Sequence, residues 1–76
     1  MSERRKYFAS VATEPEHGGE ILMGALLDGR GAKISGTAND GRSIVKVELR
    51  DGETVEDIVN FAQVVLNTNQ RLRRQS

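Results

Sequence analysis

D-G-R-G-A-K-I-S-G-T-A-N-D-G-R-S-I-V-K-V-E-L-R-D-G, running from Asp28 to Gly52, decides how this 76-residue chain is read. Three Asp-Gly dipeptides punctuate it, at Asp28-Gly29, Asp40-Gly41 and Asp51-Gly52. Glycine reaches positive φ without a Cβ clash, and aspartate tolerates the same region while hydrogen-bonding its own backbone, so Asp-Gly marks a turn. Between the turns lie two alternating runs. In Ala32 to Ala38, Ala32, Ile34 and Gly36 share one face, while Lys33, Ser35 and Thr37 share the other. In Ser43 to Leu49, Val45, Val47 and Leu49 face one way, and Ile44, Lys46 and Glu48 the other. Period-two alternation rich in β-branched residues predicts half-buried antiparallel strands.

Working outward toward the N-terminus, Glu20 to Leu27 reads E-I-L-M-G-A-L-L, apolar at nearly every position. Periodicity does not separate a doubly covered strand from a helix here, but its shortness, Gly24 and the Asp-Gly that follows favour a strand. Thr13 to Gly19, T-E-P-E-H-G-G, reads as a loop, because Pro15 restrains Glu14 and Gly18-Gly19 permits a reversal. Residues 6–12 fit a short strand or a first helical turn. Toward the C-terminus the period changes. Thr54 serves as N-cap, T-V-E-D forms a capping box with Asp57 in the usual Glu position, and a helix is expected over 54–72. Arg71, Arg73 and Arg74 suit the negative end of its dipole.

The expected fold is α+β: an antiparallel meander of three strands over residues 20–50, with a fourth strand as an option in the N-terminal segment 1–19, and one long C-terminal helix packed on one face, ending in a basic tail at 73–76. The chain is read as a single domain. The expected core is Phe8, Ile21, Met23, Leu26, Ile34, Val45, Val47, Leu49, Val55, Ile58, Val59, Phe61, Ala62, Val65 and Leu66. Val45 to Val59, V-K-V-E-L-R-D-G-E-T-V-E-D-I-V, resembles the strand–turn–helix unit of many small α+β domains, ubiquitin-like ones among them. That likeness follows from turn and cap chemistry and implies no function, and the C-terminal Gly-Gly of sulfur-carrier and conjugating members is missing. A strand before a helix is also similar to ribbon-helix-helix repressors, but those need a second helix, for which the reading above leaves no residues.

Composition restricts function. The 11 basic and 11 acidic residues cancel, so no overall charge draws the chain to nucleic acid. There is no Cys for a disulfide or thiol chemistry and one His, His17, beside Glu14, Glu16 and Glu20. A lone histidine in a polar loop reads as solvated, and no serine lies near it to be activated. The Asp-Gly loops match neither G-x-x-x-x-G-K-[ST] nor G-x-G-x-x-G. We therefore expect no enzyme, no cofactor and no metal. No signal-like or membrane-spanning apolar run is present, so the expectation is a soluble, cytoplasmic protein without a membrane partner.

Two surfaces remain as candidates. On a 100° wheel Phe61 and Val64 widen the apolar arc of the C-terminal helix past half its circumference, more than one small sheet covers. Together with the small, unstapled core this predicts a homodimer, or the docking of an unidentified protein, through Phe61, Val64, Val65, Thr68 and Leu72, with Phe61→Asp or Val64→Asp abolishing self-association. The function expected is that of a non-catalytic regulatory or inhibitory protein acting by surface occupation, in the manner of small proteins of bacteria and their phages. The alternative is nucleic-acid binding through Arg30, Lys33, Arg42, Lys46 and Arg50 in and beside the central strands. Against it, the sheet is read as lacking an aromatic on which bases stack.

Overall fold

The computed structural model describes residues 6–75, so Arg4, Arg5 and Ser76 lie outside it. Five elements follow in order: β1 (Tyr7–Thr13), α1 (Pro15–Leu27), β2 (Ala32–Thr37), β3 (Ser43–Leu49) and α2 (Val55–Gln75). The fold is α+β, a three-stranded antiparallel sheet with the long C-terminal helix packed against it. The strand order is β1-β3-β2, with β3 antiparallel to both neighbours. The N-terminal segment therefore supplies a strand, and the meander is replaced by a crossover.

The correction lies at residues 13–27. Thr13 ends β1, and from Pro15 onward the predicted loop and strand are one helix, α1. β1 and β2 are both antiparallel to β3 and so run in the same direction at opposite edges. Joining two such strands takes a crossover of a dozen or more residues, usually helical. Pro15 stands at the first helical position, where its missing N–H costs nothing. The second helix that a one-helix reading excluded thus exists, but between the first two strands. Two glycines that look like loop punctuation are instead close-approach points. A methyl on Gly24 would stand 2.9 Å from both Cγ atoms of Val65 on α2, and one on Gly18 would stand 3.3 Å from the Ser43 Cβ.

The three Asp-Gly turns differ in kind. Asp28-Gly29 closes a helix: the Gly29 N–H bonds to the Leu26 carbonyl at 3.0 Å and the Arg30 N–H to the Ala25 carbonyl at 2.9 Å, with Gly29 at φ 78°. That pairing is the Schellman cap, which ends a helix on a left-handed residue. Asp40-Gly41 is the β2–β3 hairpin turn, where the Asp40 carboxylate accepts the Arg42 N–H at 3.1 Å. Asp51-Gly52 leads from β3 into α2, and the capping box forms as expected: Thr54 Oγ1 accepts the Asp57 N–H at 3.3 Å, while Asp57 Oδ2 accepts the Thr54 N–H at 2.9 Å.

Both helices cover the same face of the sheet. The core is Ala9, Ile21, Ala25, Val45, Val47, Ile58 and Ala62, with Val11, Ala32, Leu49, Phe61 and Leu66 packed on it. Strand parity sets who points inward. Ala9 is buried, so Phe8 faces the other way and is 43% exposed. Met23, Leu26, Ile34, Val55 and Val59 are exposed as well, against the expectation for the core. A bulge between Ile34 and Gly36 puts Gly36 opposite Ile44.

Candidate interaction surfaces

The first predicted set of site residues is divided by the fold. Arg30 is not a surface cation: its side chain is 7% exposed. Its guanidinium meets the Glu53 carboxylate as a two-pronged fork, with both N···O distances at 2.6 Å, and also donates to Asp28 Oδ2 at 2.9 Å and to the Glu48 carbonyl at 3.2 Å. It lies 5.0 Å from the centre of the Phe61 ring, a cation–π contact. Glu53 above all, then Asp28, raises the guanidinium pKa further, so the charge is permanent. Arg50 joins the same corner by donating to the Asp28 carbonyl and, through its backbone N–H, to Glu53 Oε1 at 2.8 Å. Two of the Asp-Gly turns, at the end of α1 and the start of α2, are thereby clasped together. Arg42 pairs with Asp40 at 3.5 Å. Arg30 is thus buried within the fold, while Arg42 and Arg50 are paired with acidic neighbours yet remain about half exposed.

Lys33 and Lys46 behave differently. They are directly opposed on β2 and β3, on the sheet face that neither helix covers. Neither makes an ion pair among the described residues. The same face carries Phe8 and Ser10 of β1, with Ser10 opposite Lys46 and Phe8 opposite Glu48. Sequence reading found no aromatic on the sheet because it did not assign β1. Lys6, Phe8, Ser10, Gly31, Lys33 and Lys46 help to line a shallow pocket of about 520 Å³. Glu48 is turned toward the sheet edge, where its Oε1 accepts the Gly31 N–H at 2.9 Å.

The predicted partner surface also divides. Phe61 and Val65 are half-buried: Phe61 carries Arg30 and Val65 fits against Gly24. Phe61→Asp would therefore strike the fold rather than a partner. Val64, Thr68 and Leu72 are exposed. What sequence reading missed is the other wall. Met23 of α1, which a strand reading sent into the core, and Leu27 line with Val65 and Leu72 a groove of about 480 Å³. Leu27 is 84% exposed and Val64 61%.

The polar rim of that groove is a built feature. Glu20 of α1 takes hydrogen bonds from His17 at 2.8 Å and from Asn69 of α2 at 3.0 Å, and pairs with Arg73 at 2.7 Å. His17 is thus a helix residue within a bridge between helices, and no group of three metal-ligating side chains occurs among the described residues. His17 first, then Asn69 and Arg73, hold the Glu20 carboxyl at about 2, below its usual 4.5. Arg30 first, then the Arg50 backbone, hold Glu53 at about 2. A carboxyl lowered in the folded state stabilises the fold above its unfolded pKa, and that contribution is lost as pH falls. The melting temperature is therefore expected to decline from pH 5 toward pH 2. Glu20→Gln and Glu53→Gln should each lower it at neutral pH and flatten the decline, as read by thermal melts across that range.

No described helix is long and apolar enough to cross a membrane. No protein-family model matches the chain, and neither the curated proteins nor the solved structures hold a match to it.

Proposed function

We propose that the protein is a non-catalytic interaction protein that self-associates as a homodimer through the shared face of α1 and α2 and acts by occupying the surface of another macromolecule. The observation that carries this reading is the apolar groove of Met23, Leu27, Val65 and Leu72, with Val64 beside it, contributed by two different helices. The exposure of the chain as a whole supports a second copy as the occupant. The chain exposes 5645 Å², and a compact monomer of 8.4 kDa exposes about 4600 Å². The surplus of about 1000 Å² is close to the roughly 800 Å² that one partner contributes to a standard interface. The radius of gyration, 13.2 Å, likewise exceeds the ~11.4 Å of a compact chain of this length. The lack of Cys fits a reducing compartment such as the cytoplasm.

Sedimentation equilibrium tests the reading. The wild-type protein is expected at twice the chain mass. Val64→Asp and Leu27→Asp, both at exposed positions, should keep the native circular dichroism spectrum and weaken self-association about 30-fold or more each. A wild-type protein that stays monomeric at high concentration would overturn the dimer.

A further inference from the structure

We propose that the uncovered sheet face is a binding site for single-stranded nucleic acid, with Lys33 and Lys46 holding backbone phosphates and Phe8 stacking a base. Three observations carry it. First, like charges directly opposite on neighbouring strands are destabilising, yet Lys33 and Lys46 stand in that register. No carboxylate pairs with either among the described residues, whereas the basic residues at the turns, Arg30, Arg42 and Arg50, all have acidic partners. An anion from outside is the missing counter-charge. Second, Phe8 is 43% exposed on the strand on the far side of Lys46, one step along the ladder from it. Diagonal cross-strand neighbours lie roughly 7–8 Å apart, within the reach of these side chains. Third, Phe8, Ser10, Lys46 and Lys33 line one continuous pocket, and Lys6 adds a further cation at its rim.

The combination selects the occupant. A free inorganic anion needs no aromatic, and an acidic peptide sets a flat π-face on Phe8 only where it also carries an aromatic residue, whereas every nucleotide carries both groups. A duplex hides its bases from a shallow sheet, whereas a single strand offers phosphate and unstacked base together. Sequence preference is expected to be weak, because stacking accepts every base and the lysines see only phosphate. Glu48, opposite Phe8 and held by Gly31, is the one acidic side chain placed on this face of the strands. It opposes the polyanion and keeps affinity modest. The helical face lies on the other side of the sheet, so a dimer would present two such sites at once.

The test is fluorescence anisotropy of a labelled oligothymidylate a dozen nucleotides long with the full chain at low salt, beside a duplex of equal length and inorganic polyphosphate. Binding to the single strand is expected, weaker binding to the duplex, and log affinity against log salt falling with a slope of about −1.4 to −2.1 for two to three phosphates. Lys46→Glu and Lys33→Glu should each weaken binding about tenfold or more, and Phe8→Ala about tenfold. Glu48→Gln should tighten it. Lys33→Glu replaces a like-charge pair by an opposite one, so its melting temperature should hold or rise, and loss of binding cannot be put down to unfolding. No anisotropy change at low salt overturns the proposal. So do unchanged affinities in the lysine variants, or a Phe8→Ala variant that binds oligonucleotide and polyphosphate as the wild type does. Val64→Asp should leave affinity per chain unchanged, so failure here and failure of the dimer are read separately.

Discussion

Arg30→Met is expected to lower stability by about 3 kcal/mol, which for a domain of this size is a fall in melting temperature of 10 °C or more. The position looks like a turn arginine, yet four separate connections end on its guanidinium. It holds the Glu53 fork, Asp28, the Glu48 carbonyl and the face of the Phe61 ring. The end of α1, the end of β3 and the start of α2 therefore share one cation. Replacing it leaves Glu53 and the Glu48 carbonyl short of a donor in a half-buried corner, a cost beyond the loss of the pair itself. Glu53 remains about a quarter exposed (24%), so water recovers part of that cost and keeps the estimate below the largest seen for buried pairs. Arg30→Lys should fall between the wild type and Arg30→Met, because an ammonium keeps the charge but not the fork or the flat stacking surface. Thermal denaturation followed by circular dichroism checks the series. A Met variant melting within about 3 °C of wild type would falsify the keystone role.

Gly24→Ala is expected to destabilise the protein by about 1–2 kcal/mol, although the same change in an isolated helix stabilises by about 1 kcal/mol. The reversal of sign is the informative part. The added methyl falls 2.9 Å from both Cγ atoms of Val65. Valine is stiff at χ1, so the contact is not relieved by a rotamer change, and α1 must move off α2. Gly24→Leu should be worse still. Val65→Ala removes both offending methyls, so Gly24→Ala on that background should recover at least about 1 kcal/mol of the loss, a coupling a double-mutant cycle measures directly. If Gly24→Ala stabilises the protein as it would a free helix, the two helices are not packed as closely as described. The same cycle bears on function, since Gly24 and Val65 line the groove together with Met23, Leu27 and Leu72.

Elements whose signal is local were legible before the fold. β3 alternates cleanly, and of its inward set Val45 and Val47 are fully buried and Leu49 is half-buried. The α2 capping box is spelled in T-V-E-D and forms with both reciprocal bonds. The Asp40-Gly41 hairpin likewise needs only its own residues. The Lys33 and Lys46 face follows from strand parity, because side chains alternate whatever the strand packs against.

The helix α1 was not legible for a physical reason. Its signal is contradictory at short range: Gly18, Gly19 and Gly24 lower helix propensity, and its apolar residues show no clear stripe. The glycines are there for other elements. Gly18 admits Ser43 and Ile34, and Gly24 admits Val65, contacts made with residues 16 to 41 positions further along. Once β1 and β2 are known to be parallel edges around β3, a crossover helix is required, but that topology is a property of the assembled sheet. The placement of Phe8 depends on the same assignment, since only the pairing of β1 with β3 reveals which of Tyr7 and Phe8 points away from the helices.

The Asp-Gly turns show where the division falls. By itself the sequence determines that the backbone reverses or ends at each one, because Gly29, Gly41 and Gly52 supply the positive φ that each break uses. Whether a break closes a helix, joins two strands or launches a helix depends on what stands before it, and for Asp28-Gly29 that was settled by packing over long range. The tertiary structure alone decides that the first and third turns meet and that Arg30 is drawn into the fold between them. It also sets Lys33 directly opposite Lys46 in the ladder. Turn chemistry is encoded in neighbouring residues, while burial and pairing of charge are encoded in the distances the fold creates.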